Sequence, residues 1–123
     1  MKKMLLILLT MLTFTGCSAP ADGGYTCITS QKAKEIMDSQ TCIILDVRTI
    51  EEFNDGHIPN AVNLPLSDVK AKAKVMLPEK DALILVYCRS GRRSKEGSQI
   101  LADLGYTNIM EFGGIIDWPY EVE

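Results

Sequence analysis

The segment Cys88-Arg89-Ser90-Gly91-Arg92-Arg93-Ser94 places a nucleophile, a glycine and three guanidinium groups next to one another. Glycine and small residues let a backbone curl until successive N–H groups point inward. Such a nest, continued into a helix N-terminus, holds a concentrated anion. A thiol at its rim ionises more readily than a free one, and the thiolate is the nucleophilic form. Arg89, Arg92 and Arg93 supply positive charge for an anionic substrate. The bland alternative is a small buried cysteine at a strand end, with arginines solvated on the next helix. The crowding of arginine and glycine directly behind Cys88 speaks against it.

The elements that must position this loop follow from hydrophobic pattern. Ala82–Tyr87 is a continuous apolar run, expected of a strand covered on both faces. A helix from about Ser94 then buries Ile100, Leu101 and Leu104 and stops at Gly105. Sites in open parallel sheets form at the carboxyl ends of strands, where the loop from Cys88 falls. Upstream, Tyr25–Ile28 is a short strand, and Thr29 or Ser30 caps a helix burying Ala33, Ile36 and Met37. Cys42–Val47 and Ala61–Leu64 are further strands. Between them Thr49-Ile50-Glu51-Glu52 fits a capping box, with Gly56 closing that helix in a left-handed turn. Ser67 opens a lysine-rich helix that ends before Pro78, and Ile109–Phe112 is the last strand. Strands alternating with helices predict an α/β fold: an open, mainly parallel sheet with helices on both faces.

The loop resembles the active-site loop of single-domain rhodaneses. Asp46-Val47-Arg48, Glu52-Phe53 and Gly56-His57-Ile58-Pro59-Asn60-Ala61-Val62-Asn63-Leu64-Pro65 are similar to the upstream signature of that family, and Phe112-Gly113-Gly114 with Trp118 to its C-terminal one. The similarity spans residues 25–123 in order and spacing; Asn60 stands where glycine is usual, and asparagine tolerates left-handed backbone. The resemblance implies a rhodanese-like three-layer fold and a double displacement. In it, Cys88 takes the outer sulfur of thiosulfate or a similar small anionic donor as a persulfide and passes it to a thiol or cyanide. Arg89, Ser90, Gly91, Arg92 and Arg93 would bind substrate and persulfide, with Arg89 and Arg92 orienting the sulfonate. No metal or organic cofactor is implied. Competing readings are a non-catalytic rhodanese-like binding module, whose loop is often degraded or lacks its cysteine, and a cysteine-dependent phosphatase or arsenate reductase on the same fold. The phosphatases resemble a pattern of cysteine, five residues, arginine, whereas four residues separate Cys88 from Arg93.

Other reactive types have quieter expected roles. His57, the only histidine, lies in a Gly-His-Ile-Pro turn that the resemblance makes structural. Asp46 and Arg48 are expected to pair with each other or with backbone, and Trp118 to close the core.

At the N-terminus, Lys2 and Lys3 precede an apolar run, Met4–Phe14, which suits a signal peptide and is too short for a spanning helix. Phe14-Thr15-Gly16-Cys17 resembles a bacterial lipobox, although leucine is preferred where Phe14 stands. The expectation is a signal peptide over residues 1–16, acylated Cys17 with a flexible tether over 17–24, and a domain over 25–123, held to the outer side of a bacterial membrane. The net charge is -3, and excluding the segment through Cys17 leaves 11 basic against 16 acidic residues. That balance argues against nucleic acid as a partner. An extracytoplasmic location permits a disulfide, and with Cys17 lipidated and Cys88 free, Cys27 and Cys42 are the pair left to form one. Cys17→Ala is expected to abolish incorporation of labelled fatty acid and release the protein from membranes. Acylation persisting in that variant would sink the lipobox reading.

Overall fold

The computed structural model describes residues 24–123; the expected signal peptide, Cys17 and the tether through residue 23 lie outside the described residues. Five strands alternate with helices: β1 (Tyr25–Cys27), α1 (Ser30–Ser39), β2 (Ile43–Asp46), α2 (Ile50–Asp55), β3 (Val62–Asn63), α3 (Val69–Met76), β4 (Ile84–Cys88), α4 (Arg92–Asp103) and β5 (Ile109–Gly114). Single 3-10 turns cover Leu66–Asp68 and Ile115–Asp117. The strands form one sheet in the order β1-β5-β4-β2-β3, every pair parallel.

β4 lies at the centre and is buried along its whole length. Its side chains alternate between two apolar layers, which is why the run needs no polar face. Ile84, Val86 and Cys88 meet Val69 and Ala73 of α3 and Leu101 of α4. Leu85 and Tyr87 meet Ala33 and Ile36 of α1 on the opposite face, together with Trp118. The expected three-layer arrangement is therefore present, and Cys88 belongs to the α3–α4 side.

Local signals explain most boundaries. Thr29 caps α1 by accepting from the Lys32 N–H at 3.0 Å. Thr49 and Glu52 form the reciprocal capping box of α2. Three expectations are corrected. Gly56 ends α2 with φ 154° and ψ 137°, a positive-φ conformation that favours glycine but lies outside the left-handed helical turn, and its carbonyl is taken by Arg48 at 2.7 Å. The lysine-rich helix starts at Val69, because Pro65 enters a 3-10 turn in which the Asp68 N–H donates to the Pro65 carbonyl. The last helix begins at Arg92, with left-handed Gly91 (φ 109°) at its N-cap and Ser94 already inside the first turn.

Cys27 and Cys42 are not bridged. β5 and β4 both lie between β1 and β2, so the two thiols are held apart by three strand spacings, roughly 14 Å, where a disulfide tolerates Cα atoms no more than about 7 Å apart. The disulfide is ruled out by sheet order, which sequence parity does not encode.

β2 ends in a buried ion pair. Asp46 Oδ1 accepts from the Arg48 backbone N–H and Nε at 2.9 and 3.0 Å, and Oδ2 accepts from Nη2 at 2.7 Å. Asn63 of β3 donates to the carbonyls of Asp46 and Arg48 at 3.1 and 2.9 Å, so the cluster ties β2, the end of α2 and β3 together. Removing one member leaves the other charge buried and unmatched. Asp46→Ala is expected to cost about 3–5 kcal/mol of folding stability, read from urea unfolding midpoints.

Candidate active site

Cys88 is the last residue of β4, and α4 begins four positions later. The connection is short because Gly91 adopts φ 109°, a conformation that costs a side-chain-bearing residue about 1–2 kcal/mol. This turn brings the Gly91 N–H to 3.0 Å from Cys88 Sγ, and the backbone N–H groups of Ser90 and Ser94 are also directed at the sulfur. Of the loop amides expected to hold a persulfide, that of Gly91 already bonds the Cys88 sulfur.

Cys88 as a whole is only 1% exposed. Burial pushes the thiol up; the Ser94 hydroxyl at 3.4 Å and the three amides outweigh it, and the thiol ends below its ordinary value. The surroundings thus ease ionisation of the Cys88 thiol without a nearby histidine. His57 is occupied elsewhere: its ring stacks on Phe53 at 3.9 Å, Nδ1 lies 3.0 Å from the Phe53 carbonyl, and its backbone exchanges two hydrogen bonds with Glu123. Trp118 packs against Phe112 on the opposite side of the sheet, with Nε1 donating to the Glu121 carbonyl.

The end of β5 forms the second wall. Val86 pairs with Glu111 but Cys88 pairs with Gly114, so two steps along β4 match three along β5, a bulge beside the loop. Gly113 has φ 89° there. Gly114 must lack a side chain, since a Cβ would collide with the backbone of Arg89 and Ser90. The loop is also fastened by the Ile116 N–H donating to the Arg89 carbonyl at 3.2 Å.

The three arginines have different surroundings. Arg89 and Arg92 are exposed. Arg93 instead reaches α2, where Nη1 and Nη2 bond Glu52 Oε1 and Oε2 at 2.7 and 2.9 Å. Arg93 was expected among the substrate-binding groups; the fork to Glu52 makes it a clamp between α2 and the first turn of α4. The bond from Arg93 is the main cause holding Glu52 down at about 2, against a partial rise from burial; the Arg93 charge and Thr49 lower it further.

Glu52, Ser94 and Glu111 carry roles that sequence reading passed over. Ser94, in the first turn of α4 and fully buried, has its hydroxyl 2.6 Å from Glu111 Oε1. Glu111, 2% exposed, also accepts from the Gly113 N–H at 2.8 Å. A signal existed for Glu111: it is the one charged residue in the strand Ile109–Gly114 and shares the alternation of buried Ile109. Among the described residues, no group of three or more His, Cys, Asp or Glu side chains is placed to hold a metal ion.

A parallel α/β sheet with a cysteine loop at the carboxyl end of its central strand defines the class, and comparison with known proteins gives the family. The rhodanese-like domain model matches residues 29–119, and the chain belongs to that family. It is 37% identical over 73 residues to thiosulfate sulfurtransferase PspE of Escherichia coli K12, a match covering 59% of this chain and 70% of that protein. It is 31% identical over 87 residues to a sulfurtransferase of Allochromatium vinosum, covering 70% of this chain and 79% of the relative. Among solved structures, a rhodanese with anions from E. coli superimposes with a TM-score of 0.63 at 32% identity, over 68% of this chain and 98% of that one.

The clamp has an acid signature. Glu52 ionises more easily folded than unfolded, so its contribution is fully present above about pH 4.5 and is lost as pH falls through about 2. Arg93→Ala is expected to reduce stability by about 1–3 kcal/mol at neutral pH and to flatten the loss between those values, measured by denaturant unfolding across the acid range.

Proposed function

We propose that the protein is a sulfurtransferase moving sulfane sulfur from thiosulfate, or a similar small anionic donor, to a thiol or cyanide through a Cys88 persulfide. The single observation that carries this reading is the buried Cys88 sulfur with the Gly91 N–H at 3.0 Å and two further amides directed at it. Those donors stabilise a charged sulfur without bulk water. Cys88 thiolate attacks the outer sulfur of thiosulfate, the new S–S bond forms, and the donor's S–S bond breaks with its electron pair leaving on sulfite. The terminal persulfide sulfur is then attacked by the acceptor, and Cys88 departs as thiolate. The family membership and sulfurtransferase relatives support the same reading. Arg89 and Arg92, exposed at the two ends of the turn, are the groups proposed to hold the sulfonate. The lipid-anchored, extracytoplasmic location is proposed alongside, on the residues Met1–Cys17 alone.

Incubation with thiosulfate is expected to add the mass of one sulfur atom at Cys88, and cyanide to remove it as thiocyanate. Cys88→Ser should lose both. Arg89→Ala and Arg92→Ala should weaken use of thiosulfate by about 1–3 kcal/mol each, and use of a neutral persulfide donor much less. Aryl-phosphate hydrolysis without persulfide formation would overturn the proposal.

A further inference from the structure

Counting hydrogens around Ser94 exposes a problem that the amides alone do not solve. The Ser94 hydroxyl has one hydrogen. Its oxygen lies 3.4 Å from Cys88 Sγ, 2.6 Å from Glu111 Oε1, 2.9 Å from the Gly91 carbonyl and 3.3 Å from the Gly113 carbonyl. The shortest contact is the one to Glu111, within the range of a hydroxyl bonded to a carboxylate. With Cys88 as a thiol the hydrogens run one way: S–H donates to Ser94 Oγ, and Ser94 O–H donates to Glu111. With Cys88 as a thiolate, Ser94 turns its hydrogen to the sulfur. The 2.6 Å contact to Glu111 then needs a hydrogen of its own, and only Glu111 can supply it. Ser94 is fully buried, Glu111 is 2% exposed, and no ion pair among the described residues includes Glu111. A thiolate and a carboxylate separated by one hydroxyl, with little water to screen them, repel one another.

We propose that Cys88, Ser94 and Glu111 form a proton relay, in which the proton leaving the Cys88 thiol passes to Ser94 Oγ as the Ser94 hydroxyl proton passes to Glu111. The S–H and Ser94 O–H bonds break, new O–H bonds form on Ser94 and Glu111, and the net charge of the three is unchanged. The relay charges a sulfur closed off from water without sending a proton through the loop. Its purpose rests on the sulfurtransferase reading: the thiolate it produces is the species that attacks the donor sulfur. Glu111 reaches the sulfur only through Ser94 and is a positioning residue. The other charged group coupled to the thiol is Arg93 of α4, already engaged by Glu52, and it takes no part in the transfer.

The test is the rate at which iodoacetamide alkylates Cys88 at neutral pH in the full-length protein. Glu111→Gln keeps an oxygen to accept from Ser94 and from the Gly113 N–H but cannot take a proton. Alkylation should fall by roughly tenfold or more, with the melting temperature close to that of the parent. Ser94→Ala should produce a similar fall, and the double variant no more than either single one, because both break the same chain. Unchanged or faster alkylation in Glu111→Gln would overturn the relay, since a carboxylate that merely repels the thiolate slows the parent protein. Losses that add in the double variant would likewise overturn it. Should Glu111→Gln not fold, Ser94→Ala decides alone: unchanged alkylation in it breaks the relay. Alkylation uses no sulfur donor, so this result is separate from persulfide formation. Glu111-dependent alkylation with no persulfide from thiosulfate would leave the relay and remove the sulfurtransferase reading, and the converse pattern would do the opposite.

Discussion

A sulfur atom shut away from water can carry charge only where other dipoles replace the solvent, and the region around Cys88 is organised to meet that condition. The replacement consists of backbone N–H groups, which are rigid and cost no side-chain ordering. They converge only if the chain reverses between a strand end and a helix start within a few residues. Gly91 permits the reversal, and Gly114 permits the end of β5 to lie against it without a Cβ in the way. Both glycines are therefore tied to the charge on one atom.

The supports of the loop are drawn from three separate elements. From β5 come the bulge and the carboxylate that holds Ser94. From α2 comes Glu52, which closes the capping box of its own helix and grips Arg93 at the start of α4. A helix of six residues is marginal alone, and here the same side chain that starts it also anchors it to the first turn of α4 behind the Cys88 loop. Asp46 and Arg48 occupy the adjacent strand end, where each neutralises the other's buried charge.

Much of this arrangement was legible in the amino-acid order, and the part that was not has a common cause. Patterns that act over a few residues were readable: the Thr49–Glu52 capping box, the Thr29 cap and the apolar run before Cys88. Contacts between residues distant in sequence were not. Arg93 looks like an anion-binding group beside Cys88, and nothing local reveals that Glu52 is its partner. Glu111 reads as an oddity in a strand until the pairing of β5 with β4 places it behind Ser94. Cys27 and Cys42 satisfy parity, yet strand order separates them. Ser94 was read as the approximate helix start, whereas the helix begins at Arg92 and the Ser94 hydroxyl is engaged inside the first turn.

The sheet order carries a further implication for how the molecule comes into being. β1 pairs with β5 alone, so the first strand finds its place only when the last is available. The central strand β4 lies between β2 and β5, and it too is flanked on both sides only once the last strand has been made. Such a topology defers its decisive contacts to the end of synthesis. No N-terminal fragment ending before β5 can therefore close the sheet around β4, and the finished core waits for the last strand.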